Sequence, residues 1–581
     1  MNSLKLSSKK YLIYTLIIIF IAICLRFFKL AQVPHGMTWD EAAIGYNGYA
    51  VWKTRRDEWL VRLPVSFKSF GDFKAPFAIY LNSLFTFLFG MNLWAVRLPF
   101  VIVAIFAVWG MMLLTRQLFT EDKHLQKQAQ FASIVAGIIM TLSPWHLHFS
   151  RAGFESAMTM TYIIFATHFF YKFIQLENYK DKVNREAREG ALGQKSLLYK
   201  FFKLFRITLS DSKYTLLRKS CYLLFSALLF VIAMYTYHSA KLAVPLLVLF
   251  LAFINRRQLL ENKLLVLIFS IFGLALLKPL LEDTFMGEGM TRANTLFFTP
   301  EMNSLEAVKV IFNNYLSHLD PLFLLFGKTT TLRHGTGRWG VLLPVTFFIA
   351  LWEFIIYVLT SIKKSCCKVQ SRKLVIFAIA WIVIGIFPAT LGVEIPHSNR
   401  AILALPGFIL LATLGLNDFL VNISNAQVKI QKFKIPNKVL TLSVLATVHL
   451  LTFLSFQKYY YKVFAKESAD AFKDGYVEAF EYAVAYEKGL YGKPEADKIL
   501  FTSDYGQPYI YALFVRKTNP IWYRGGSLVK YEFTDNITMG DLNRSKTLIV
   551  ASKDDLLPEE RAEKLVYGSD GEVRFKIYYA P

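Results

Sequence analysis

A helical, multi-pass membrane protein with a small α/β domain at its C-terminal end is the fold class this sequence predicts. Three observations predict it. The chain is 54% hydrophobic with a mean hydropathy of +0.37, and carries 52 Phe and 30 Tyr in 581 residues, more apolar surface than a soluble domain can hide. The apolar residues fall into runs long enough to cross a bilayer. The net charge of +24 sits in short loops between those runs, where Lys and Arg set membrane orientation, rather than in a patch of the kind that binds nucleic acid.

The run 11–28 follows Lys5, Lys9 and Lys10. It is long and lacks a small-residue cleavage site, so it reads as a retained first span with a cytoplasmic N-terminus. Further runs lie at 76–90, 93–115, 130–145, 154–174, 220–236, 241–254, 263–281, 341–361, 373–391, 400–420 and 438–456. If every run crosses, the strongly basic stretch 178–219 faces outward, against the positive-inside rule. Segment 76–90 is short for a crossing; laid along the outer surface, it leaves about eleven spans. The basic loops at 116–129, 175–219, 255–263, 362–373 and 421–438 then fall inside. Loops 29–92, 146–153, 237–240, 282–340 and 392–399, and the tail after about 457, fall outside. The expected division is a membrane domain over 1–456 and an extracytoplasmic domain over 457–581.

In the tail, charge rises and long apolar runs stop. The spacing predicts a helix over 468–487, with Phe472, Tyr476, Phe480 and Ala483 on one face. It also predicts strands at 498–503, 547–551 and 573–579 and a helix at 509–515. Cys24, Cys221, Cys366 and Cys367 form no metal or redox pattern.

The outer loops hold the candidate chemistry. Asp40 and Glu41, in Thr38-Trp39-Asp40-Glu41-Ala42-Ala43-Ile44-Gly45-Tyr46, follow the first span. Two acids there suit either the opening of a solvated helix or a site at the membrane surface. Lys74, two residues before Pro76, suits either a snorkelling anchor or an anion ligand at a helix start. His146, His148, Arg151 and Glu155 follow the third span, His238 and Lys241 a tight turn, Arg333-His334-Gly335-Thr336-Gly337-Arg338 a cationic loop, and His397 and Arg400 the start of a helix. Each alone has a structural reading; all on one side of a membrane suggest an anionic lipid headgroup. If that headgroup is a polyprenyl phosphate bearing a sugar, the leaving phosphate needs cations, which Lys74, His238, Lys241 and Arg400 can supply. The acceptor hydroxyl needs a general base, and Asp40 fits. Attack opposite the phosphate inverts the anomeric centre. Trp39, Tyr46 and Trp145 suit sugar stacking or an interfacial belt.

In order along the chain, Trp39-Asp40-Glu41-Ala42, Phe73-Lys74-Ala75-Pro76, Val96-Arg97-Leu98-Pro99, Ser143-Pro144-Trp145-His146-Leu147-His148-Phe149-Ser150-Arg151, Tyr237-His238-Ser239-Ala240-Lys241, Arg333-His334-Gly335-Thr336-Gly337 and Pro396-His397-Ser398-Asn399-Arg400 resemble the GT-C superfamily of polyprenyl-phosphate-sugar glycosyltransferases. The similarity is to the branch of the dolichyl-phosphate-mannose protein mannosyltransferases and the lipid A aminoarabinose transferases. It implies two juxtamembrane helices in the first outer loop and Asp40 as catalytic base with Glu41 beside it. It implies donor-phosphate binding by Lys74 and His238, with Lys241, Arg333, His397 and Arg400 as further candidates. It leaves Glu155, with Arg151, His148, Trp39 and Tyr46, to the acceptor, the sugar or a second acidic site. No cofactor is firmly implied; a divalent cation, Mg²⁺ or Mn²⁺, on Asp40 and Glu155 is left open. The expected partners are a polyprenyl-phosphate-linked sugar, an extracytoplasmic acceptor (protein, glycan or lipid) and membrane lipids, at the cell membrane. A flippase for lipid-linked sugars is the alternative from another class, and predicts ionisable groups within the spans, where His168 is one exception to a general scarcity. A membrane scaffold predicts no anion site.

Overall fold

The computed structural model describes residues 7–186, 211–287, 302–362, 371–422, 427–430, 433–526 and 528–581; most of the basic stretch 178–219 lies outside them. The first third of the chain runs α1 (Ser8–Phe27), α2 (Trp39–Thr54), a hairpin of β1 (Phe67–Ser69) and β2 (Asp72–Lys74), α3 (Pro76–Phe89), α4 (Leu93–Glu121), α5 (Ala129–Leu142), α6 (Pro144–Ser150) and α7 (Glu155–Glu186). The later apolar helices are Asp211–Thr236, Ala240–Ile254, Lys263–Met286, Pro344–Ile362, Arg372–Thr390, Leu405–Asn422 and Asn437–Tyr459. Among the described residues, 8 helices are long and apolar enough to cross a membrane, or 9 if the pair α5–α6, bent by 56°, is one span. The chain is a multi-pass membrane protein. The two other expected spans are helices that miss this standard. One is α7, which buries Ser156, Thr159, Thr161, Thr167 and His168; the other is Ala240–Ile254, with 15 residues. At about 1.5 Å per residue α3 is also short of a 30 Å hydrocarbon core.

The loop expected at 146–153 is largely helix. Ser143 caps α6, its hydroxyl accepting from the His146 N–H, and Pro144 opens it. This turns the residues after the bend into the core. Arg151 is fully buried and donates to the carbonyls of Leu25, Arg26, Phe28, Lys29 and Val33, tying off the end of α1. Arg26 is buried too, with Nη2 2.6 Å from His146 Nδ1. These cations satisfy backbone groups that a dry core would otherwise leave unpaired.

The C-terminal region holds a five-stranded sheet in the order Tyr531–Thr534, Lys498–Thr502, Thr547–Ser552, Val573–Ala580, Lys564–Tyr567. The first three strands are parallel and the last two join antiparallel. The helix expected at 468–487 begins only at Tyr476. Lys473 and Gly475 adopt φ of 57° and 92°, left-handed values that interrupt a helix. The apolar helix ahead of this region runs on to Glu467, past the expected boundary at 456. Helix Pro508–Arg516 packs on α2: Tyr511 Oη donates to the Met37 carbonyl at 2.6 Å, and a Cβ on Gly45 would lie 2.6 Å from the Phe514 ring. Tyr46 is fully buried in the same contact, its hydroxyl 3.2 Å from the Thr518 carbonyl. It holds the two regions together and is not available for stacking on a sugar.

Candidate active site

The site begins with how α2 starts. Thr38 is its N-cap: the Thr38 hydroxyl accepts from the Glu41 N–H at 3.2 Å, and the Glu41 carboxylate accepts from the Thr38 N–H at 3.1 Å, a reciprocal capping box. Successive helical residues point about 100° apart, so the capping box turns Glu41 inward and Asp40 outward. Glu41 is 1% exposed. Arg97 grips it with Nε at 2.6 Å and Nη2 at 3.2 Å, and Gly153 N–H donates to it at 3.1 Å. Both Glu41 oxygens are committed, so the expectation of a second catalytic acid gives way to a structural role.

Asp40 has a different surrounding. Its Oδ1 accepts from Lys74 Nζ, and Arg333 Nη1 lies 3.5 Å from Oδ2. The side chain keeps 32% exposure. Lys74 reaches it because the β1–β2 hairpin pairs Phe67 with Lys74 and delivers Lys74 just before α3. The Arg333 guanidinium also lies over the Trp39 ring at 5.2 Å, and Lys473 Nζ lies over the same ring at 5.4 Å. Lys473, at the break in the expected 468–487 helix, carried no sequence signal. Burial holds its ammonium below the usual value.

The other expected ligands divide. Glu155 opens α7, between Gly153, which donates to Glu41, and Ser156, whose hydroxyl meets Asn399 Oδ1. His148 is buried, with Nε2 3.1 Å from the Arg333 carbonyl and Nδ1 3.3 Å from Tyr460 Oη; it positions the Arg333 loop rather than contacting a ligand. Trp145 is buried as well, its indole N–H donating to the Ser398 carbonyl at 3.0 Å. Lys241 donates to Thr284 Oγ1 at 2.9 Å on helix Lys263–Met286, where Asp283 accepts from Ser66 of the first outer loop at 2.8 Å. Lys241 therefore sits against the helix that anchors the middle of the first outer loop.

His397 is buried and caps helix Ser398–Ala401, its Nδ1 accepting from the Arg400 N–H at 3.4 Å. Its ring stacks on His334 at 4.3 Å, and Glu394 Oε2 lies 3.4 Å from His334 and 3.6 Å from His397. One donor atom from each of these three residues falls within 4.8 Å of the others, a nitrogen-rich set of the zinc type. Because His397 Nδ1 accepts, its neutral ring carries the proton on Nε2, facing Glu394. The three side chains face one another at ion-pair distances, and His397 Nδ1 is occupied in capping helix Ser398–Ala401. The adjacent His334 imidazole, with Arg333 and Arg400 nearby, holds Glu394 below the usual carboxylate value. Both Asp40 carboxylate oxygens face cations, Lys74 and Arg333.

Next to the ion pair is apolar space. A cavity of about 190 Å³ is lined by Leu63, Pro64, Pro76, Phe77, Tyr80 and Tyr235, among others. It begins two residues past Lys74. Glu58, a fully buried acid, lies close enough to Lys74 to feel its charge. Burial, and then the neighbouring Asp57 carboxylate, push it up to about 8. The unfolded chain releases this proton near its ordinary value, so the folded state loses stability as pH rises from about 4.5 to 8. Glu58→Gln is expected to raise the melting temperature at pH 8, by the equivalent of a few kcal/mol, and to leave it nearly unchanged at pH 4.5; thermal scans of the purified protein check this.

The chain aligns over almost its whole length with ArnT from Cupriavidus metallidurans. The apo structure matches with a TM-score of 0.52 at 11% identity over 98% of each chain. The undecaprenyl-phosphate-bound structure matches with 0.51 at 10% over 98% of each. The chain has a GT-C fold. In sequence, residues 73–183 match the family model of dolichyl-phosphate-mannose-protein mannosyltransferases, a match that opens at Phe73 beside Lys74. No curated protein matches the chain. The GT-C fold agrees with the resemblance read from the motifs.

Proposed function

We propose that this GT-C protein is an inverting glycosyltransferase that moves a sugar from a polyprenyl phosphate to an extracytoplasmic acceptor. The observation that carries the reading is Asp40, partly exposed between Lys74 and Arg333 and beside an apolar cavity at the start of α3. The prenyl chain enters that cavity, and the phosphate meets Lys74 and Arg333, with Arg400, Lys241 and His238 as outer contributors. The binding of undecaprenyl phosphate by ArnT supports a donor of this class. Phosphate competes with Asp40 for the two cations, so donor binding frees the carboxylate. The acceptor O–H then attacks the anomeric carbon from the face opposite the phosphate. Its proton passes to Asp40, the new C–O bond forms as the bond to the phosphate oxygen breaks, and the pair of electrons leaves on polyprenyl phosphate. Lys74 and Arg333 stabilise that growing charge. The N-terminus lies in the cytoplasm and the sheet domain outside it, on the same side as Asp40.

A flippase requires charged groups along a path through the spans; Glu353 is buried within helix Pro344–Ile362, but the enzyme reading alone accounts for Asp40 held between Lys74 and Arg333. Mass spectrometry of lipid-linked and glycan products, in membranes with and without the protein, tests the reaction. Lys74→Ala is expected to raise the KM for donor about tenfold or more, the worth of one charge-assisted hydrogen bond to phosphate, with the acceptor KM nearly unchanged. Altered acceptor kinetics alone would remove Lys74 from the phosphate site.

A further inference from the structure

A second and larger cavity, of about 540 Å³, opens between the first outer loop and the sheet domain. Its walls are aromatic: Trp59 and Phe70 from the loop, and Tyr509, Tyr523, Tyr531 and Phe533 from the domain. Phe70 is where it meets the reaction site. It forms, with Gly71, the turn of the β1–β2 hairpin, and its ring is 5.5 Å from Lys74 Nζ and 5.9 Å from the Tyr509 ring. The same hairpin therefore lines the cavity at its tip and delivers Lys74 to Asp40 at its end.

The rings are held in place from behind. Tyr531 Oη lies 3.1 Å from Glu487 Oε2, which also accepts from Arg516 Nε at 2.7 Å. Gly525, at φ 66°, passes so close to Trp59 that a Cβ would lie 2.2 Å from its ring. The Trp59 indole N–H donates to the Lys68 carbonyl at 3.2 Å. Tyr523 and Tyr531 are buried, while Trp59, Phe70, Tyr509 and Phe533 are half-exposed. Among the described lining residues Lys68 is the single charged one, and Gln507 adds a polar amide. A cavity walled by fixed rings, with a few hydrogen-bonding groups and almost no charge, matches the amphipathic faces of a sugar: C–H bonds on the flat faces, hydroxyls at the edge. It lacks the clustered cations an anionic headgroup would need.

We propose that this cavity, next to Asp40 and Lys74, binds a neutral saccharide as the acceptor, which makes the protein a glycan-extending enzyme. The identification of the bound sugar as acceptor rests on the glycosyl-transfer reading above; binding itself does not. The test is saturation-transfer difference NMR on the full-length Asp40→Asn protein in lipid nanodiscs, because glycoside detergents would compete. The probes are mannotriose, maltotriose and chitotriose at millimolar concentration, with a Ser/Thr-containing peptide as the contrasting ligand. Ring C–H signals are expected from at least one saccharide, weakened about fivefold or more in Trp59→Ala and in Tyr509→Ala. Retained signal in Trp59→Phe, which keeps a ring, distinguishes lost stacking from misfolding. Saccharide binding by a protein whose wild type transfers no sugar overturns the enzyme reading and leaves the binding site standing. A protein active in transfer that gives no saccharide signal overturns the cavity assignment, as do signals unchanged in both alanine variants or binding of the peptide alone.

Discussion

Asp40→Asn is expected to lower the rate of sugar transfer about a thousandfold, with the protein still inserted and folded. General-base assistance is worth roughly 10²–10⁴ in rate, and an amide keeps the size of the side chain while removing its basicity. The charge change gives this variant a signature that unfolding does not share. Asp40 offsets part of the positive charge of Lys74 and Arg333 in the empty site. Without it, both cations are available to the phosphate from the start. The KM for donor is therefore expected to fall while kcat collapses, a split that marks loss of an interaction made in the transition state together with relief of a ground-state competitor. Asp40→Glu keeps a carboxylate one methylene longer and is expected to fall between wild type and Asn. Steady-state kinetics with a purified polyprenyl-phosphate sugar measures both constants. If Asp40→Asn retains more than about a tenth of the wild-type kcat, well above the loss that general-base catalysis predicts, Asp40 is not the base.

The membrane architecture was legible because apolar runs are a one-dimensional signal. Every expected crossing is a helix, but length does not separate α3 from Ala240–Ile254, which was expected to cross and is one residue longer. The site was legible in part. Asp40, Lys74 and Arg333, expected from three separate stretches, meet at one carboxylate. Their neighbours in sequence were not separable by composition. Glu41 differs from Asp40 by one position, but the Thr38 capping box decides which acid faces the cavity, and Thr38-x-x-Glu41 was present to be read. Arg151 and His148 looked like surface cations because the bend at Pro144 that turns them inward depends on packing. Short strands such as Tyr531–Thr534 carry no periodicity of their own, so the aromatic cavity they wall could not be seen before the sheet was assembled. Glu58 and Glu394 had no motif; only burial and spatial neighbours set them apart.

The largest loss of stability is expected from Arg97→Met. The Arg97 guanidinium is fully buried. Besides gripping Glu41 it donates to the carbonyls of Leu30 and Pro34 at 3.0 Å and of Gly36 at 2.9 Å, so one side chain fixes both the loop that leads into α2 and the acid that caps it. Methionine matches the aliphatic stem but leaves Glu41 buried without its cation and three carbonyls without donors. Breaking a buried pair from one side costs about 3–5 kcal/mol, and loss of the carbonyl contacts adds to it. Arg97→Met/Glu41→Gln removes the orphaned charge, while the amide oxygen can still accept from one of the two N–H groups, Thr38 or Gly153, that Glu41 now satisfies with separate oxygens. The double variant is therefore expected to melt above Arg97→Met alone, a non-additivity that only a direct interaction produces. Because Asp40 is the next residue on the same helical turn, Arg97→Met is also expected to lower kcat in the fraction that folds, and the double variant to recover stability before activity. Thermal unfolding of the three purified variants, read beside transfer rates, separates the two effects. A double variant no more stable than Arg97→Met would mean that the carbonyl contacts, not the ion pair with Glu41, are what Arg97 contributes.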